Sequence, residues 1–224
     1  MSRVVFDIET LGFAIDTFDE VQKEYLLRAA TTDEEREAEI QKLSLFALTA
    51  RVIAVGMVNP DTGAGKVFYQ SDAFEKFFSE DGKTEFVSGD ERSLLSLFWE
   101  AVERYDQFIT FNGRSFDCPF LMLRSAILEV KPSRNLLPYR YDAKTHCDLL
   151  DQLTFFGAVR KFNLDFYCKA FGIKSPKGEG ISGLDMGPLF HEKRFKEIAQ
   201  YCLGDVKATA QLFSRWNGYL NIKD

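Results

Sequence analysis

Val4-Val5-Phe6-Asp7-Ile8-Glu9-Thr10 (VVFDIET) is a short β-branched and aromatic run with two acids set into it two positions apart. Its composition and length read as a buried strand over Val4–Ile8. Side chains alternate along a strand, so Asp7 and Glu9 emerge on one face while Ile8 points to the other. Acids ordinarily occupy solvated surface, and here they interrupt an apolar run. Two later stretches carry the same anomaly. FITFNGRSFDCPFL (108–121) holds Asp117, and YCLGDVKAT (201–209) holds Asp205, four residues after Tyr201. Residues four apart on a helix share a face, so Tyr201 and Asp205 point the same way. Carboxylates gathered near buried structure repel one another, and the common remedy is a bound divalent cation.

Working outward from that strand, Arg51–Val58 (RVIAVGMV) and Lys66–Gln70 (KVFYQ) read as the second and third strands. The Asn59-Pro60-Asp61-Thr62-Gly63 turn between them has hairpin chemistry. Asp16–Ser44 is charged, with little Gly or Pro, and is expected to form one or two exposed helices inserted between the first two strands. Ser93–Tyr105 repeats its apolar residues at helical spacing. Phe108–Phe111 reads as a strand, Asn112-Gly113-Arg114-Ser115 as a turn, Phe116–Leu128 as a helix and Thr145–Leu149 as a fifth, short strand. Leu164–Phe171 is a helix stopped by Gly172. Ser175–Gly187, rich in Gly, Pro and Lys, reads as a flexible loop, and Glu192–Trp216 as one or two closing helices. Strands leading into alternating helix and strand make an α/β pattern. At 224 residues the expectation is one domain over 1–224, with the helical insertion at about 16–44.

Bulk properties narrow the function classes. The chain is 46% hydrophobic and 28% charged, the balance of an ordinary globular protein. No apolar run approaches the roughly 20 residues that span a bilayer, so no membrane partner is expected. The N-terminus lacks signal-peptide architecture, which makes the cytoplasm the expected address. Cys118, Cys147, Cys168 and Cys202 form no CxxC pair or zinc-spaced cluster, and the three in apolar contexts are expected to be reduced core or near-core thiols. A net charge of −6 argues against a passive scaffold for long duplexes. It argues less against a nuclease, whose acidic site is offset by its metals.

Brought together, Asp7, Glu9, Asp117 and Asp205 suit two magnesium or manganese ions about 3.5–4 Å apart, the spacing used for in-line phosphodiester displacement. One ion would acidify a bound water and the other would stabilise the departing 3′ oxygen. Tyrosine, with a reference pKa near 10, is a poor base at neutral pH, so Tyr201 is cast as a group that orients the attacking water. Singly, each piece has an ordinary reading: a turn element, a helix N-cap, an amphipathic pair. Their joint occurrence, in this order and on these local elements, is what points to catalysis.

These segments closely resemble the three motifs of the DEDDy-class 3′–5′ exonucleases. FDIET is similar to the first, FNGRSFDCPFL to the second as it stands in family-B DNA polymerases, and YCLGD to the third, Tyr-x-x-x-Asp. HCDLLDQL (146–153), a Gly-rich loop and YCLGDVKAT together resemble stand-alone predicted exonucleases related to the polymerase exonuclease domain. The resemblance implies a ribonuclease H-like fold, a five-stranded mixed sheet flanked by helices. It implies removal of nucleotides from a single-stranded 3′ end, with Asp7, Glu9, Asp117 and Asp205 as metal ligands and Tyr201 as a further catalytic residue. Asn112 follows as a residue behind the ligands or touching substrate. A sister class carries a histidine five residues before the last aspartate; here that position is Gln200, and neither His146 nor His191 reads as a general base.

For substrate, Leu11, Gly12 and Phe13 directly follow the first motif and are placed to pack against a terminal base or sugar. Phe116 is a further candidate, with burial in the core as its ordinary reading, as for most of the 22 phenylalanines. Basic groups at Arg134/Arg140/Lys144, Arg160/Lys161, Lys174/Lys177 and Lys193/Arg194/Lys196 are candidates to follow phosphates. The Ser175–Gly187 loop is the candidate gate. DNA and RNA both fit, because discrimination turns on how the pocket treats a 2′-hydroxyl. The rival from another class is a catalytically silent ribonuclease H-like module that binds nucleic acid or a protein partner.

Overall fold

The computed structural model describes residues 2–175 and 183–222. Its strands are β1 (Arg3–Gly12), β2 (Ala50–Val58), β3 (Gly65–Gln70), β4 (Lys76–Phe78), β5 (Thr84–Gly89), β6 (Gln107–Thr110) and β7 (His146–Asp148). Among the described residues they form one seven-stranded mixed sheet in the order β4-β5-β3-β2-β1-β6-β7. β1 runs antiparallel to β2 and parallel to β6, so the acid-bearing strand lies inside the sheet. The expected five strands are β3-β2-β1-β6-β7, and the expected α/β class holds.

β4 and β5 correct the strand count. They pair antiparallel across a tight turn that contains Asp81 and Gly82, the latter at φ 67°. Asp-Gly between strands is a hairpin signal. β4 is three residues long and mostly exposed, too short for periodicity to reveal. What fastens it is Phe77 stacked on Phe86 across the pair, ring centroids 4.8 Å apart. β5 then joins β3 in parallel, a pairing set by tertiary contacts alone.

Helices cover both faces. The longest is α8 (Phe195–Tyr219), preceded by α1 (Glu20–Leu27), α2 (Asp33–Lys42), α3 (Glu91–Val102), α4 (Asp117–Ile127), α5 (Leu149–Leu153), α6 (Leu164–Ala170) and α7 (Met186–His191). Along β1, Val5 and Leu11 pack with Ile198, Cys202, Val206 and Leu212 of α8. Val4, Phe6 and Ile8 pack on the other side with Leu94, Phe98 and Leu121 of α3 and α4. That two-fold alternation aims Asp7 and Glu9 at α8. α1 and α2 each begin in a capping box, at Asp19 and Thr32, and bury no residue, as an exposed pair should.

Two boundaries differ from the sequence reading. Gly183–Asp185 form a 3-10 turn, and Met186 and Gly187 open α7, so the second end of the expected loop is helical. Residues 176–182, and with them the core of the expected gate, lie outside the described residues. α8 starts at Phe195 rather than Glu192, because Lys193 turns the chain at φ 59°.

Candidate active site

β6 pairs with β1 only as far as Val5 opposite Ile109, which leaves the β1 edge beyond without a strand partner. The chain leaves β6 at Thr110 and turns through Asn112, held at φ 63°. Gly113 is obligatory in that turn: a Cβ there would lie 2.4 Å from Thr110 Cβ. The turn delivers Asp117 at the first position of α4, where Asp117 Oδ1 accepts the Ile8 N–H at 3.0 Å. Asp117 thus completes the hydrogen bonding of the open strand edge between the two acids of β1.

The other half of the site comes from α8. Gly56 of β2 sits opposite Asp7 in the ladder. A Cβ at Gly56 would be 2.8 Å from Val206 Cγ2, 3.0 Å from Cys202 Sγ and 3.3 Å from the Cys202 carbonyl. Glycine therefore lets α8 lie directly on the sheet beside Asp7, and the Cys202 thiol donates to the Asp7 carbonyl at 3.6 Å. Tyr201 and Asp205, on the same helix, arrive among the carboxylates, and the Tyr201 phenol hydrogen-bonds Asp205. A bulge in β2 completes the arrangement: the register skips Ile53 between the Glu9–Ala54 and Thr10–Val52 pairs. Bulges bend a strand and re-aim its neighbours, here directly beside Glu9.

The structure thus brings Asp7, Glu9, Asp117, Tyr201 and Asp205 to one point. Glu9 and Asp117 are buried, 7% and 3% exposed, while Asp7 is partly buried. Burial pushes the Asp7 carboxyl well above the usual carboxylate range, with Asp117, Asp205 and Glu9 adding repulsion. Asp117 is raised to about 7, first by burial and then by Asp148 and Asp205, against hydrogen bonds that favour its ionised form. The Tyr201 phenol is raised by burial and by the charges of Asp205, Glu9 and Asp7, so it holds its proton and acts as a donor.

Such mutual repulsion is what a divalent cation relieves, and the donor set fits one. Single ligand atoms of Asp7, Glu9 and Cys202 lie within 4.8 Å of one another. Burial and the neighbouring carboxylates keep the Cys202 thiol protonated, so the carboxylate oxygens of Asp7 and Glu9 are the atoms that could hold a cation, and hard, oxygen-preferring cations suit such donors.

The substrate candidates divide. Leu11 and Phe116 join the apolar clusters, Leu11 on the α8 side and Phe116 tilted against Phe120 on the other. Gly12 lies against Leu43 and Ser44; a Cβ there would be 3.1 Å from each. The Phe13 ring lies 5.3 Å from the Arg124 guanidinium. Asn112 gives its backbone N–H to Asp148 Oδ1 at 2.9 Å. Of the basic groups, Arg140 is paired with Asp151, Lys193 with Asp72 and Arg194 with Glu197.

Two residues of the site escaped the sequence reading. Asp148, at the end of β7, is buried and accepts the N–H groups of Asn112, Arg114 and Leu150. It ties β7 to the turn that carries Asp117, and burial raises its own carboxyl above the usual carboxylate range. The signal was present: an acid between apolar residues in HCDLL, the same anomaly that marks Asp7. Gly56 was equally visible as a lone glycine inside a strand, which marks a close approach of another backbone.

Residues 48–221 match the model of a family described as a predicted 3′–5′ exonuclease related to the exonuclease domain of PolB. That span contains Asp117, Tyr201 and Asp205, while Asp7 and Glu9 precede it. The chain is 24% identical to DNA polymerase 1 of Sulfolobus acidocaldarius over 161 residues, covering 69% of this chain and 18% of the polymerase. The family B DNA polymerase of the hyperthermophilic archaeon Pyrobaculum calidifontis is similar in fold, with a TM-score of 0.62 and 20% identity. That likeness covers 98% of this chain and 25% of the polymerase, consistent with a ribonuclease H-like fold. By its match over most of its length, this chain belongs to the family of predicted 3′–5′ exonucleases related to the exonuclease domain of PolB.

Proposed function

We propose that this chain is a single DEDDy-type exonuclease domain that hydrolyses the terminal phosphodiester at the 3′ end of single-stranded DNA or RNA. The observation that carries the reading is the convergence of four carboxylates and a protonated tyrosine, with the Asp7 and Asp117 carboxyls made weaker acids by burial and by their neighbours. Asp7, Glu9, Asp117 and Asp205 would hold two magnesium or manganese ions. When bound, such ions acidify water and neutralise charge on the departing oxygen.

The chain's own residues do the rest. Asp117 keeps the open β1 edge in register through the Ile8 N–H, which fixes the separation of Asp7 and Glu9. Tyr201 keeps its proton at neutral pH and gives it to Asp205, and its phenol oxygen accepts a hydrogen bond that orients the attacking water. Asp205 anchors that phenol. Asp148 holds the Asn112–Arg114 turn, so Asp117 does not drift when its charge changes.

The test is digestion of a 5′-labelled single strand of DNA, and of its RNA counterpart, with magnesium, manganese or EDTA, with Asp7→Asn as the control. A ladder shortening from the 3′ end, abolished by EDTA and by Asp7→Asn, is expected. Cleavage of a circular strand would refute exonuclease action. Strand binding without any cleavage would transfer the assignment to a silent nucleic-acid-binding module.

A further inference from the structure

Residues Phe155 to Lys161 (FFGAVRK) are all exposed and contain no acid. Phe155 and Phe156 stand at φ 49° and 57°, followed by Gly157 at 95°. A left-handed conformation costs a non-glycine residue about 1–2 kcal/mol, and exposed phenylalanine forgoes burial as well. The segment is nevertheless firmly built. Phe156 N–H donates to Asp151 O at 2.7 Å, Gly157 N–H to Thr154 O at 3.0 Å and Val159 N–H to Thr154 O at 3.2 Å. The fold thus holds two aromatic rings outward at a cost that packing does not explain: Phe155 is 62% exposed.

These rings belong to a larger surface. Phe156 lies 4.6 Å from Tyr141, which lies 5.5 Å from Tyr139, itself 74% exposed. Arg140 is interleaved between the two tyrosines, and its partner Asp151 is buried beneath. A second run starts at Arg160, whose guanidinium lies 5.0 Å from the Phe162 ring, and Phe162 stacks on exposed Phe166 at 4.3 Å. Phe162 also meets Tyr167, which packs edge-on against Phe111, the residue before Asn112. Both runs therefore reach back to the turn that carries Asp117, one through Tyr167 and Phe111, the other through Asp151 and the β7–α5 junction that holds Asp148.

We propose that this surface is a stacking platform for an unpaired nucleic-acid strand, holding nucleotides upstream of the 3′ end in the carboxylate site; it rests on the exonuclease reading only for that last placement. Aromatic faces accept any base, and interleaved arginine and lysine match the phosphates between them. A protein partner fits less well, because the cations are set among the rings rather than along a rim. In a chain of net charge −6, an acid-free exposed run with two cations is a local exception. The arrangement favours single strands over duplexes, whose stacked bases leave no face to receive a ring.

The test measures fluorescence anisotropy of a labelled strand of about 12 nucleotides, within the footprint such surfaces take, bound to the full chain in EDTA. Phe155→Asn is the first variant, because asparagine tolerates the left-handed backbone and should leave the fold as stable as before or more so. It should weaken strand binding on the order of tenfold. Arg160→Gln with Lys161→Gln should weaken it and flatten its salt dependence. Hydrolysis of a dinucleotide, too short to reach the platform, should be unchanged in both variants. Strand binding equal to the unsubstituted protein in both would overturn the platform and leave a protein partner as the occupant of the surface. Binding lost together with thermal stability would overturn it too. Because binding is read in EDTA, a chain that binds strands through these residues yet hydrolyses nothing would sustain the platform and refute the exonuclease reading.

Discussion

Replacing Gly56 by alanine tests the geometry of the site without touching any group proposed to act in it. The added Cβ would sit 2.8 Å from Val206 Cγ2, where carbon atoms settle at about 3.5–4.0 Å. Rotating Val206 relieves only the nearest contact, since Cys202 Sγ at 3.0 Å and the Cys202 carbonyl at 3.3 Å belong to the same helix. The remaining relief is a shift of α8 away from the sheet, by roughly 0.5–1 Å if the contacts are to reach ordinary separations. Overpacking of this kind costs about 1–3 kcal/mol. Tyr201 and Asp205 ride on α8, while Asp7, Glu9 and Asp117 stay with β1. A misplacement of about 1 Å in a reacting constellation costs on the order of 100-fold in rate. Gly56→Ala should therefore melt a few degrees lower, remain folded and shorten a 5′-labelled strand about two orders of magnitude more slowly. Adding Val206→Ala should recover part of both losses, because it removes the closest clash and the two positions are coupled. Native rate and native melting temperature in Gly56→Ala would refute the claim that glycine sets the approach of α8 to the carboxylates.

Tyr201→Phe should slow cleavage while leaving metal affinity, read by calorimetry, nearly unchanged; a fall in metal affinity would make the phenol a ligand rather than a group that orients water. Asp117→Asn keeps an acceptor for the Ile8 N–H and removes a buried charge. The folded Asp117 pKa, about 7, lies above its unfolded value, so the native state holds a proton that the unfolded chain releases. That carboxyl therefore lowers stability as pH rises from about 4 to 7. Without metal, Asp117→Asn should gain stability relative to the unsubstituted protein across that window, by a few kcal/mol at most, while losing metal affinity; denaturant melts at several pH values check the first and calorimetry the second. Arg124 forms a buried bidentate pair with Glu91, which also accepts the Val52 N–H beside the β2 bulge. Arg124→Met should cost about 3–5 kcal/mol by stranding that carboxylate, whereas Arg124→Met with Glu91→Gln should recover part of it, as read by urea denaturation.

Local regularity made much of this protein legible in its sequence. Strand alternation puts Asp7 and Glu9 on one face, and helical spacing puts Tyr201 beside Asp205, because both follow from backbone geometry within a few residues. The α/β class and the order of the acidic motifs were open to reading for the same reason. The tertiary structure alone decided where these faces meet. The parallel pairing of β5 with β3, the open β1 edge that Asp117 completes, and the seating of α8 on Gly56 join segments separated by up to 195 positions. Their energies depend on gaps of a few tenths of an ångström, which no local pattern encodes. Asp148 shows the boundary: the sequence marks it as an acid in an apolar run, and only the fold shows it gripping the turn that presents Asp117.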